Sequence, residues 1–164
     1  MQRIDGMDWT ADFRLARALS EAYEASGKKA FVFYCLGAPD DPADSLGPRV
    51  ADELKKYFPH VVGTSDAPAD AAHDPIHWAH VQERYPDAFV ITVEAAWGPQ
   101  DAVGRIEVTD RPSPRGGAAG RADLAVVATV GAAGTVDPNT VRKLADAIID
   151  GALRFLDKTG HRPL

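Results

Sequence analysis

Three apolar runs leave this chain few folds to adopt: AFVFYCLG at residues 30–37, DAFVITVEAA at 87–96 and DLAVVATVG at 123–131. A strand that is apolar at successive positions has to be covered on both faces, which is the situation of strands inside a parallel sheet. Between the runs, apolar residues recur at helical spacing. Residues 8–26 place Trp9, Phe13, Ala16, Leu19 and Tyr23 on one stripe, which Gly27 closes as a C′ residue. Residues 46–58 return to that spacing through Leu46, Val50, Leu54 and Phe58 until Pro59 stops them. A short strand is expected at 60–64 and a helix at 75–85, with Asp74 as its N-cap. The last helix opens at Asp137-Pro138, buries Val141, Leu144, Ile148, Ala152 and Phe155, and ends near Gly160. Strands alternating with helices give an α/β fold, expected here as a three-layer α/β/α sandwich around a mostly parallel, twisted sheet.

The remaining segments are less regular. VGRIEVT at 103–109 alternates and reads as a more exposed, edge-like strand. Residues 110–121, DRPSPRGGAAGR, hold two Pro, three Gly and three Arg and read as a mobile surface loop. Residues 1–8 read as a short unstructured lead. With no internal repeat and no dividing linker, residues 1–164 are expected to form a single domain. An excess of 24 acidic over 18 basic side chains, a net charge of −6, argues against a nucleic-acid partner. The apolar runs fall short of the ~20 residues needed to cross a bilayer. A lone Cys and an amino terminus without an apolar core fit a cytoplasmic location.

Ligands of open α/β sheets bind beyond the carboxyl ends of the strands, and two acids fall at such places. Asp44 lies in the loop after the first apolar run, just before the helix that opens at Ser45-Leu46-Gly47-Pro48. Glu94 lies at the end of FVITVEAA, where partial desolvation would raise its pKa. Asp44 reads either as an N-cap or as a functional carboxylate, and Glu94 either as the partner of a nearby arginine or as its counterpart. Together they could divide base and acid roles, or supply oxygen ligands to a divalent metal. His73, His77 and His80 cluster on or beside the helix at 75–85 and read more simply as a solvated face than as a metal site, since no HExxH pattern is present. Cys35 sits mid-strand as a small hydrophobe, and Ser45 lacks a GxSxG surround.

CLGAPDDPADSLGPRVADEL at residues 35–54 resembles the signature of the YyaC-like sporulation protease family, in which a strand runs into a glycine and Asp-Ser-Leu-Gly-Pro opens a helix. Val62-Gly63-Thr64, Asp74-Pro75-Ile76-His77, FVITVEAAWG at 89–98, Val103-Gly104-Arg105-Ile106 and Asn139-Thr140-Val141-Arg142-Lys143-Leu144 are similar to later elements in the same order. The resemblance covers roughly residues 30–157, with Glu94 standing where the pattern has Asp. It implies the phosphorylase/hydrolase-like fold of germination proteases and hydrogenase-maturation endopeptidases, with Asp44 and Glu94 as the catalytic pair. His77 and Trp97 are then the expected substrate contacts, and the partner is a peptide or protein substrate. The alternatives are a divalent-metal hydrolase holding its ion through Asp44, Glu94 and His77, and a non-catalytic peptide- or protein-binding descendant of the fold.

Overall fold

In the computed structural model, which describes residues 1–113 and 115–161, the longest apolar runs become strands, of which β2 is buried on both faces along its whole length while the end of β4 and one face of β6 are partly open. The strands are β1 (Gln2–Asp5), β2 (Phe31–Cys35), β3 (Val61–Val62), β4 (Phe89–Trp97), β5 (Arg105–Thr109), β6 (Leu124–Ala132) and β7 (Thr135–Val136). The helices are α1 (Ala11–Ser26), α2 (Leu46–Leu54), α3 (Asp74–Arg84), α4 (Gly117–Arg121) and α5 (Pro138–Thr159). The strands form one mixed sheet in the order β1-β5-β6-β4-β2-β3, with β7 paired to β6. β3, β2, β4 and β6 run parallel, while β5 and β7 run against β6 and β1 runs against β5. The fold is therefore α/β with a mixed, mostly parallel sheet. No helix among the described residues is long and apolar enough to cross a membrane.

Alternation along β2 sends its side chains into two separate cores. Phe31, Phe33 and Cys35 join Leu15 and Leu19 of α1, Val50 and Leu54 of α2, and Leu144, Ile148 and Phe155 of α5. Val32 and Tyr34 join Val81 of α3 and Ala118 and Ala119 of α4 on the opposite face. The first core continues under β5 and β6, whereas the second stops at β2 and the start of β4. Val127 and Thr129 of β6 and Glu107 and Thr109 of β5 are consequently only half-buried. One quadrant of the sheet is left without a helical cover.

Several sequence expectations are corrected. The lead at residues 1–8 contains β1, which pairs Ile4 opposite Ile106 and turns β5 from an edge into an interior strand. The alternation of β5 reflects one covered face, not an outer position: Ile106 and Val108 are buried. α1 buries Ala11, Leu15, Ala16, Ala18, Leu19 and Ser20, so Ala16 and Leu19 of the expected stripe lie inside, and Tyr23 packs partly buried against the core. Trp9 is 85% exposed and Phe13 lies outside, its ring beneath the Arg154 guanidinium at 3.7 Å. Within residues 110–121, α4 forms and buries Ala118 and Ala119, small side chains that let it sit close to α3. Pro114 of that segment lies outside the described residues.

Asp74 does not cap its helix through its side chain, since His73 holds the N-cap position. Its carboxylate instead accepts from the Tyr34 hydroxyl at 2.6 Å and from the Ala118 backbone N–H at 3.4 Å. One aspartate thus ties β2, α3 and α4 together. Tyr34→Phe removes the buried hydroxyl and is expected to lower unfolding stability by roughly 1–2 kcal/mol, read from denaturant midpoints.

Candidate active site

Asp44 and Glu94 line one cavity of about 770 Å³ on the uncovered quadrant. The sheet register builds its floor. Glu94 lies opposite Val127, Val127 opposite Glu107, and Glu107 opposite Arg3, so these four side chains form a row across β4, β6, β5 and β1. At the far end of the row, Arg3 pairs with Glu107 at 3.4 Å.

Glu94 is not at a strand tip, as its sequence position suggested. β4 continues through Ala95, Ala96 and Trp97, so the glutamate projects from the sheet face. It does lie level with the carboxyl end of β2, whose Cys35 pairs with Val93. Glu94 is only 4% exposed, and its Oε2 has no hydrogen-bond partner among the described residues. Burial pushes its pKa above the ordinary glutamate value; Arg115 and the Ser113 hydroxyl oppose the shift, and the charge of Asp44 adds to it.

Asp44 comes from the loop between β2 and α2. Asp41 organises that loop by accepting from the backbone N–H groups of Ala43 at 2.9 Å and Asp44 at 3.1 Å. Two glycines hold its ends against the sheet. A Cβ on Gly37 would strike the Asp44 carbonyl oxygen, and one on Gly47 would strike the Leu36 carbonyl oxygen. Ser45, not Asp44, takes the N-cap position of α2, and its hydroxyl donates to the Pro42 carbonyl at 3.3 Å. The Asp44 carboxylate is therefore left to face the Arg115 guanidinium at 3.6 Å. Burial raises the Asp44 pKa; Arg115 opposes the rise, and Asp41 adds to it.

Trp97 lines the same cavity, half-exposed, with its ring against Gly131. His77 does not join Asp44 and Glu94. It sits on α3, which packs over the other half of this sheet face, and lines a separate cavity with His80 and Lys55. The three-ligand metal site Asp44–Glu94–His77 is thus not assembled, and no group of three or more His, Cys, Asp or Glu side chains able to hold a metal occurs among the described residues. The two carboxylates face a guanidinium, a poor donor set for a cation. His73 is engaged by Asp70 at 2.6 Å, and Cys35 is fully buried, which raises its thiol pKa.

Arg115 and Ser113 are the site residues that sequence reasoning missed. Their visible signal was the concentration of arginines in residues 110–121.

The α/β domain thus brings two carboxylates of raised proton affinity and the Arg115 guanidinium together on an uncovered sheet face. The chain belongs to the family described as Protein of unknown function (DUF1256), whose model matches residues 4–151. No curated protein matches it.

Proposed function

We propose that this chain is a peptidase-like hydrolase of the YyaC-like sporulation protease type, built on the three-layer, hydrolase-like sandwich of germination proteases. The observation that carries the reading is the buried Glu94 carboxyl group. It has an oxygen without a partner among the described residues and a raised pKa, and it shares a cavity with Asp44 and Arg115. A carboxyl group in that environment holds its proton to a higher pH than an exposed glutamate does and can give it to a leaving amine. Asp44 is more exposed and paired with Arg115, so it is the member better kept ionised, and it takes a proton from the attacking water. The Arg115 guanidinium, which faces Asp44, is a cation available to a developing oxyanion. An extended peptide would lie across the open row from Glu94 to Arg3, against Trp97. A cytoplasmic setting suits a domain whose one cysteine is buried and free.

The Asp44–Arg115 ion pair favours one competing reading, because a base already engaged by a cation is a weaker base. On that reading the crevice only binds a peptide or protein partner. The two are separated by assaying a library of unstructured peptides with the parent protein and Asp44→Asn, with and without chelator. Cleavage that is insensitive to chelator and falls about 100-fold or more in Asp44→Asn is expected. Peptide binding with no cleavage of any member would leave only the binder.

A further inference from the structure

The histidines that the main site does not use belong to a second cavity, of about 310 Å³, beside the carboxyl end of β3. His77, His80 and Arg84 stand three and four residues apart on α3, a spacing that puts them on one helix face. Lys55 approaches from the end of α2. Thr64, just beyond β3, contributes a hydroxyl. None of the described lining residues is an aspartate or glutamate, although acids outnumber bases in the chain. Among the described residues no carboxylate pairs with His77, His80, Arg84 or Lys55.

The local geometry leaves donors free. The Lys55 ammonium donates to the carbonyls of Pro59 at 2.9 Å and Val61 at 3.1 Å, which leaves its third N–H unspent. Arg84 donates through Nε to the Tyr85 hydroxyl at 3.0 Å, and this bond fixes the guanidinium while sparing its terminal nitrogens. The field is felt next door: His60, hydrogen-bonded to Tyr85, is biased towards its neutral form by burial and then by Arg84, Lys55 and His161.

We infer that this cavity is an oxyanion site for the phosphoryl group of a small ligand. Two permanent cations and two imidazoles match a compact dianion with several acceptor oxygens better than a single carboxylate. The chamber is at the small end of the size range of ligand sites. The shared chemistry covers free phosphate and a phosphate monoester.

Calorimetric titration with inorganic phosphate and with glycerol 3-phosphate, against chloride at matched ionic strength, tests the site. Saturable binding of at least one probe is expected, weakened about tenfold by Arg84→Gln and severalfold by His80→Gln. Arg142→Gln, on the exposed side of α5, should leave it unchanged. Tighter binding of phosphate would mark the free ion as ligand, and tighter binding of the ester a phosphorylated metabolite. In the unsubstituted protein, the imidazole proton resonances of His77 and His80 should move with the same saturation curve. Saturation by neither probe, static imidazole resonances, or undiminished binding in the Arg84→Gln/His80→Gln double variant would overturn the assignment.

Discussion

Replacing Glu94 by glutamine should abolish most hydrolysis and, at neutral pH, make the protein harder to unfold. The first effect follows from losing the proton donor, and a drop of about 10²–10⁴ in turnover is expected. The second follows from linkage. Burial raises the folded-state pKa of Glu94 above its ordinary value of 4.5. Between those two values the folded chain holds more protons than the unfolded chain, so stability falls as pH rises through that window. At neutral pH the parent protein carries this cost and the glutamine variant does not, so the variant is expected to unfold at a higher urea concentration than the parent. Below about pH 4.5, where both states of the parent are protonated, the advantage should vanish. Urea unfolding at pH 4 and pH 7 measures it. Equal differences between variant and parent at the two values would mean that Glu94 titrates normally, and its role as acid would go with that result.

The second large effect belongs to Gly47. A Cβ there lands on the Leu36 carbonyl oxygen, and Leu36 cannot retreat, because its N–H is bonded to the Val93 carbonyl at 2.8 Å. Relief has to come from moving α2 away from the sheet, which opens the core around Leu46 and Val50 and displaces Asp44. Gly47→Ala is expected to cost about 3 kcal/mol in urea midpoint measurements and to weaken activity in whatever fraction stays folded. Gly120→Ala is the matched control. Its nearest neighbour is at 3.5 Å, an ordinary contact, and it sits in a helix, where alanine is favoured. Equal midpoints for the two variants would contradict the packing described for Gly47.

These two residues also mark how much the chain discloses before it is folded. β2, β4 and β6 were legible because their runs are long and mostly apolar, with Thr92, Glu94 and Thr129 too few to break the pattern. β1 was not, since Gln2–Asp5 turns a single residue, Ile4, inward, and one apolar side chain carries no period. The aromatic residues of the α1 segment misled for a different reason. Half of its buried residues are alanines, and Trp9 and Phe13 outweigh them in any hydrophobic pattern while lying outside. Asp44 and Glu94 could be picked out because each follows an apolar strand segment. Arg115 could not, because its place opposite Asp44 depends on a tertiary approach that local sequence pattern does not carry. Nor does helical spacing say which cavity α3 will face, and His77 went to the other one.

The pairing of β1 with β5 has a consequence for biogenesis. Gln2 leaves the ribosome early, yet its partner Val108 emerges only when most of the domain has been made. The amino-terminal strand must wait, and its contact is among the most sequence-distant in the sheet, so it bears a large loop-closure entropy. Until it docks, β5 presents a bare hydrogen-bonding rim to the crowded cell. The outer side of the sheet beyond β6 is therefore completed last, by a strand that precedes every other in the chain.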